Sequence, residues 1–201
     1  MNYKLSVIVP ALNEEGNIVW AVQNIIESFQ RVGCSAEIIV VNDCSKDNTE
    51  SILRGISLSG LKVIHHVSNR GKAAAVRTGL ENAVGEFIFI QNGNLNIEAD
   101  NYFKLLAAIK DSGADIVLGT RSSKIHQGAP VLQTQDYFST LMLNILFGVK
   151  LHDWSSHFQF IRRESFLNLA QQLKGKDIAF EILTKGLRNK MRVIEVPIFH
   201  D

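Results

Sequence analysis

LSVIVPALNEE, residues Leu5 to Glu15, runs from a short β-branched apolar segment directly into a polar turn. That is the pattern of a buried strand whose tip reaches solvent. The same pattern returns in EIIVVNDCSKDNT (Glu37 to Thr49) and in FIFIQNGNLN (Phe87 to Asn96). Strands are expected at Leu5–Val9, Glu37–Val41, Lys62–His66, Glu86–Ile90 and Asp115–Leu118. Between the first two, Ile18, Ala21, Val22, Ile25, Ile26 and Phe29 form an apolar stripe at helical spacing. Asp47–Gly55, Gly71–Val84 and Asn101–Ser112 read as further helices, with Gly85 and Gly113 as stop signals. Strands separated by helices imply an α/β architecture, a mainly parallel central sheet flanked by helices. In such sheets ligands sit beyond the carboxyl ends of the strands.

Composition sets bounds. The chain has 201 residues, 46% hydrophobic and 20% charged, with a formal net charge of +1. That suits one sizeable core and gives no basic field for a nucleic-acid partner. Cys34 and Cys44 have no metal-type spacing and point to a reducing compartment without a disulfide framework. The N-terminus enters the strand pattern directly, without a signal-peptide pattern. The stretch Tyr137–Val149 is interrupted by Ser139, Thr140 and Asn144 and is too short to span a bilayer. It is read first as core, because it lacks a Lys/Arg face, with docking at a membrane surface as the alternative. A cytoplasmic, soluble domain is the expectation.

The strand tips hold the candidate chemistry. Pro10 to Glu15 after the first strand reads as a helix-capping turn when taken alone. Asn42 to Thr49 after the second reads either as another cap, through Ser45 or Asp47, or as a site where Asp43 accepts a hydrogen bond from a nucleobase. Gly71 and Lys72 at a helix N-terminus can approach a phosphate, although no P-loop is present. No G-x-G-x-x-G follows Val9, which argues against a nicotinamide-binding domain.

In combination these stretches resemble family 2 glycosyltransferases of the GT-A, Rossmann-like fold. VIVPALNEE, EIIVVNDCSKDNT, NRGKAAAVRTGLENAVGEF and a strand ending in an x-G-x turn occur in the family's order. DIVLGTR (Asp115 to Arg121), HDWSSHFQFIRRE (His152 to Glu164) and FEILTKGLRNKMRVIEVPI (Phe180 to Ile198) extend the likeness over essentially the whole chain. The branch it looks most like transfers sugars to dolichyl or polyprenyl phosphate.

The resemblance implies one GT-A-like domain over residues 1–201, with a nucleotide-binding half over about 1–96 and an acceptor half over about 97–201. It implies transfer, with inversion, from a nucleotide-sugar to a lipid phosphate or a glycan, at the inner face of a membrane. Pro10, Glu14 and Asp43 would lie at the base, and Gly71, Lys72, Asn92 and Asn94 at the diphosphate. Asp153 is the carboxylate placed to act as general base towards a hydroxyl acceptor, or simply a loop cap for Ser155 and Ser156. Arg121, His157, Arg162 and Arg163 would serve the acceptor and phosphate side, and Glu181 would stand near the acceptor.

One departure bears on the chemistry. Where the family has Asp-x-Asp holding Mg²⁺ or Mn²⁺, this chain has Asn92-Gly93-Asn94. Hard divalent cations take neutral amide oxygens only as supplements to carboxylates and phosphates, so no metal ligand is expected from this turn. Asn42, Leu12, His157, Gln133 and Gln135 also differ from the family pattern, mostly on the donor-phosphate side. Two readings follow: a transferase that uses cationic side chains in place of metal charge, or a non-catalytic relative that binds a nucleotide or a partner.

Overall fold

The computed structural model describes residues 4–31, 33–91, 99–121, 134–154, 159–175 and 177–198. Along the chain run β1 (Leu5–Ala11), α1 (Ile18–Arg31), β2 (Ala36–Asn42), α2 (Thr49–Gly55), β3 (Leu61–His65), α3 (Lys72–Glu81) and β4 (Phe87–Ile90). There follow α4 (Ala99–Ser112), β5 (Ile116–Arg121), α5 (Thr134–Phe147), β6 (Gln159–Arg162), α6 (Arg163–Ala170), α7 (Ile178–Arg188) and β7 (Val193–Ile198). The strands form a seven-stranded sheet in the order β3-β2-β1-β4-β6-β5-β7. All neighbours are parallel except β6, which is antiparallel to both β4 and β5. Strand order reverses direction at β1, so a crevice opens between the tips of β1 and β4, where ligands of open α/β sheets bind.

The expected α/β sheet is therefore present, and both its faces are covered. Side chains alternate along a strand. Leu5, Val7 and Val9 of β1 pack with Ile18, Val22, Ile25 and Phe29 of α1 and Tyr102, Leu105 and Ile109 of α4. Ile8 joins the opposite cluster, with Val76 and Leu80 of α3, Phe166 and Leu169 of α6, and Ile182 and Leu183 of α7. Aromatic rings seal the first layer. Tyr102 lies 4.8 Å from Phe29 and 5.2 Å from Phe89, which lies 4.9 Å from Phe160. Full burial of side chains of this size stabilises by about 1.5–3 kcal/mol each before entropy is counted.

Close approach of α3 to the sheet depends on Gly79. A Cβ there would fall 2.4 Å from Cγ2 of Ile8. The same holds at Gly85, where a Cβ would lie 2.6 Å from the backbone of Leu5.

Helix α5 differs from its sequence reading. Thr140 and Leu143 are buried, whereas Phe138, Leu141, Met142, Ile145 and Leu146 are exposed. Among the described residues the stretch is thus core along one edge, through Leu143 in the cluster that includes Leu151 and α7, with Asn144 bonded to Leu151. Among the described residues no helix is long and apolar enough to cross a membrane.

Candidate nucleotide site at the strand tips

The loops after β1 and β2 are laced together side by side. Ser45 Oγ accepts from the Asn13 amide at 2.9 Å, and Asn13 Oδ1 accepts from the Lys46 amide at 2.8 Å. Thr49 Oγ1 accepts from the Glu14 amide, and Asp47 accepts from the Glu15 and Thr49 amides. Glu15 in turn accepts from the Asn48 amide and its side chain, both at 2.9 Å. The polar residues that the sequence offers as helix caps mainly tie two loops into one platform. Pro10 lies on β1 and pairs with Val41, one position before the tip, and Glu14 lies half-buried just beyond it.

Asp43 is the hub of this platform. It follows β2, and its side chain is 3% exposed. Oδ1 accepts from the Arg70 amide at 2.9 Å and from Nδ1 of His66 at 2.6 Å, while Oδ2 accepts from the Gly71 amide at 2.7 Å. Burial pushes the Asp43 carboxyl upward. The hydrogen bonds from the Arg70 amide, His66 and the Gly71 amide, with the His66 charge, outweigh it and hold the carboxyl below the usual range. A carboxylate has about four lone-pair directions, so three donors leave one open, on Oδ2.

Through Asp43 the loop after β2 and the loop that leads into α3 share one group. Gly71 sits at the N-cap of α3 with φ of 83°, in the region that favours glycine. Its Cβ would meet nothing within 4 Å, so the backbone angle is what requires glycine there. Lys72 begins α3, with part of its surface open to solvent. Desolvation lowers its pKa, and Asp177 at the start of α7 opposes that shift. A cation held in this state gains from the arrival of an anion, and the N-terminus of α3 adds its positive dipole end.

The third tip, after β4, begins at Gln91, which is buried and accepts from Tyr102 Oη at 2.9 Å. That oxygen is turned into the aromatic layer. Asn92 and Asn94 lie outside the described residues. Among the described residues no group of three or more His, Cys, Asp or Glu side chains is arranged to hold a metal ion. By side-chain chemistry alone, Asn92 and Asn94 carry neutral amides that do not fit a tightly held Mg²⁺ or Mn²⁺.

Asp153, expected on the acceptor side, is buried, and its amide donates to Glu195 Oε1 at 3.0 Å. Glu195, on β7, also accepts from the amide and Nδ1 of His152. Trp154 donates to Ser139 on α5 and stacks edgewise on Phe180 of α7 at 4.8 Å. His157 lies outside the described residues, as does the Arg121 side chain, whose backbone ends β5 at the tip.

Arg162 and Arg163, expected on the acceptor and phosphate side, lie away from the strand tips. Because β6 is antiparallel, Arg162 pairs with Phe87, the first residue of β4, at the end of the sheet opposite the strand tips. There Arg162 lies 5.2 Å over the Phe87 ring and pairs with Glu86, while the Arg163 amide donates to the Glu86 carbonyl. The backbones of both arginines therefore sit at the end of the sheet away from the strand tips. Glu181, expected near the acceptor, accepts from the Lys174 and Gly175 amides and pairs with Lys185. Asp177 caps α7 by accepting from the Phe180 amide. Two groups escaped the sequence reading: His66, hidden in an ordinary strand end, and Glu195, whose role needs the β5–β7 pairing to become visible.

A seven-stranded, mostly parallel sheet with one antiparallel strand, its loops joined at the strand tips, has the GT-A architecture. The chain belongs to the family described as Glycosyl transferase family 2, which matches residues 6–169. It is 30% identical to a dolichol-phosphate mannosyltransferase of Pyrococcus furiosus, over 96% of this chain and 55% of the relative. It is 27% identical to a dolichyl-phosphate beta-glucosyltransferase of Drosophila melanogaster, over 96% of this chain and 66% of the relative. Among solved structures, the mannosyltransferase PcManGT from Pyrobaculum calidifontis, in complex with GDP-Man and Mn²⁺, superposes with a TM-score of 0.70. That match has 22% identity and covers 98% of this chain and 55% of that one. The chain thus spans about half to two thirds of the length of these relatives.

Proposed function

We propose that this chain is the nucleotide-sugar-binding domain of a glycosyltransferase that delivers a sugar to a polyprenyl-type phosphate, with inversion at the anomeric carbon. The observation that supports it is the Asp43 hub, which joins a carboxylate facing the base side to the Gly71–Lys72 start of α3. A nucleoside diphosphate offers a partner to each, a base for the carboxylate and anionic phosphates for Lys72 and the start of α3. Lys72 and the dipole of α3 neutralise charge on the departing nucleotide. A phosphate acceptor is already ionised and attacks without a strong base. For a hydroxyl acceptor Asp153, held by Glu195, is the general base.

The family's divalent ion would supply charge to the leaving diphosphate, but Asn92 and Asn94 are poor hosts for it. The exposed apolar side of α5, joined to the acceptor loop through Ser139 and Trp154, favours peripheral contact with the membrane that holds a lipid acceptor. The test is transfer of labelled sugar from UDP- and GDP-sugars to polyprenyl phosphate in vesicles. A labelled lipid product supports the reading.

A second reading is favoured by the amide turn itself: a non-catalytic relative that binds nucleotide through the same platform. Nucleotide binding without any transfer, under both donors, would select it.

A further inference from the structure

His66 lies just beyond β3 with its side chain 5% exposed, and both its ring nitrogens have partners. Nδ1 is 2.6 Å from Asp43 Oδ1, and Nε2 is 3.0 Å from Thr78 Oγ1 on α3. Nδ1–H donates to the carboxylate, and the Thr78 hydroxyl, which can donate or accept, partners Nε2. The neighbouring His65 points the other way, 3.1 Å from Asn42 Nδ2. The imidazole of His66 thus bridges the strand-tip carboxylate to the second turn of α3, whose first residue carries Lys72.

We infer that His66 is a positioning residue for nucleobase recognition, fixing the Asp43 carboxylate so that its open Oδ2 lone pair meets the ring N–H of uracil or guanine. The inference rests on the nucleotide reading above. The Arg70 and Gly71 amides approach Asp43 from the loop that must admit the phosphates, and they alone would let the carboxylate follow that loop. The bond from His66 references it to β3 and to α3 instead. Cytosine offers an acceptor at the corresponding ring nitrogen, so an oriented carboxylate there discriminates against cytidine nucleotides. A loosened carboxylate discriminates less.

The test is calorimetric titration of UDP, GDP and CDP into the wild-type chain, His66→Leu and His66→Asn, with thermal unfolding recorded for each. Asn places its amide nitrogen near the position of Nδ1 and keeps the donor to Asp43, whereas Leu removes it. His66→Leu is expected to lose about tenfold of the preference for UDP or GDP over CDP, and His66→Asn to recover most of it. If His66→Leu does not fold, His66→Gln, whose amide reaches towards Thr78 rather than Asp43, takes its place with the same expected loss. Unchanged base preference in the variant lacking the donor, or equal loss in His66→Asn, overturns the role of His66. Absence of nucleotide binding or of base preference in the wild-type chain instead overturns the nucleotide reading on which it rests.

Discussion

The Gly71 amide donates to Asp43 Oδ2 at 2.7 Å, joining the tip of β2 to the N-cap of α3. Residues that a sequence presents as separate motifs, V-V-N-D and N-R-G-K, are one hydrogen-bonded unit. The loop before α3 and the tip of β2 are therefore held to each other through one carboxylate. Substitutions of Asp43 are expected to show in stability as well as in binding.

Asp43→Ala leaves the Arg70 and Gly71 amides and His66 without their acceptor in a buried place. The expected loss is roughly 2–3 kcal/mol of stability together with weaker nucleotide binding. Denaturant unfolding beside calorimetry checks both. Loss of binding at unchanged stability would show that the hub is not structural.

The Asp43 carboxyl is held below its ordinary value. A carboxyl lowered in the folded state contributes stability that is present above its unfolded pKa of about 4. That contribution is lost as pH falls through the lower folded value. Wild type and Asp43→Asn should therefore converge in stability as pH drops from about 5 to about 2. Glu181 is also lowered, against burial, by Lys185 and by the Gly175 and Lys174 amides, so only the difference between the two proteins reports Asp43. Divergence on acidification would contradict the assignment.

Gly71→Ala introduces no clash but forces a Cβ residue to φ of 83°. A cost of about 1–2 kcal/mol is expected. Gly79→Ala and Gly85→Ala press against the branched methyl of Ile8 and the backbone of Leu5. Gly186→Ala meets only the end of the Ile116 side chain, at 2.6 Å. Thermal melting should rank Gly85→Ala well below Gly186→Ala, and the reverse order would refute the packing described for β4.

Arg162→Ala should lower stability through the lost Phe87 and Glu86 contacts, with nucleotide affinity changed less than about twofold. A large affinity loss would place this arginine at the site after all.

The alternation of strands and helices and the positions of the tips were legible in the sequence, because apolar periodicity and turn chemistry are local. The end of the sheet occupied by Arg162 and Arg163 was not. Strand direction is set by pairing with β4 and β5, and no local pattern in Gln159–Arg162 encodes it. His66 was missed for a similar reason: its two partners lie 23 and 12 positions away in the chain. The α5 stretch misled because apolarity alone does not tell a core helix from an exposed one. Asn92, Asn94 and His157 stand outside the described residues, so their assignment rests on the family pattern.

Asn92→Asp combined with Asn94→Asp would place two hard carboxylate ligands beside the diphosphate. Nucleotide affinity should then rise by about tenfold or more on adding Mn²⁺. Without metal the same variant should bind more weakly than wild type, because the added negative charges face the phosphates. Calorimetry in Mn²⁺ and in EDTA checks both signs, and an affinity insensitive to metal would show that the turn does not face the diphosphate.

Titration of UDP and of GDP into the unmodified chain, once in EDTA and once in Mn²⁺, tests the account at its centre. The Asp43–Gly71–Lys72 platform is expected to bind at least one of them in EDTA, with an affinity within about threefold of that in Mn²⁺. Binding that appears only with Mn²⁺, or that appears with neither nucleotide in either buffer, would contradict it.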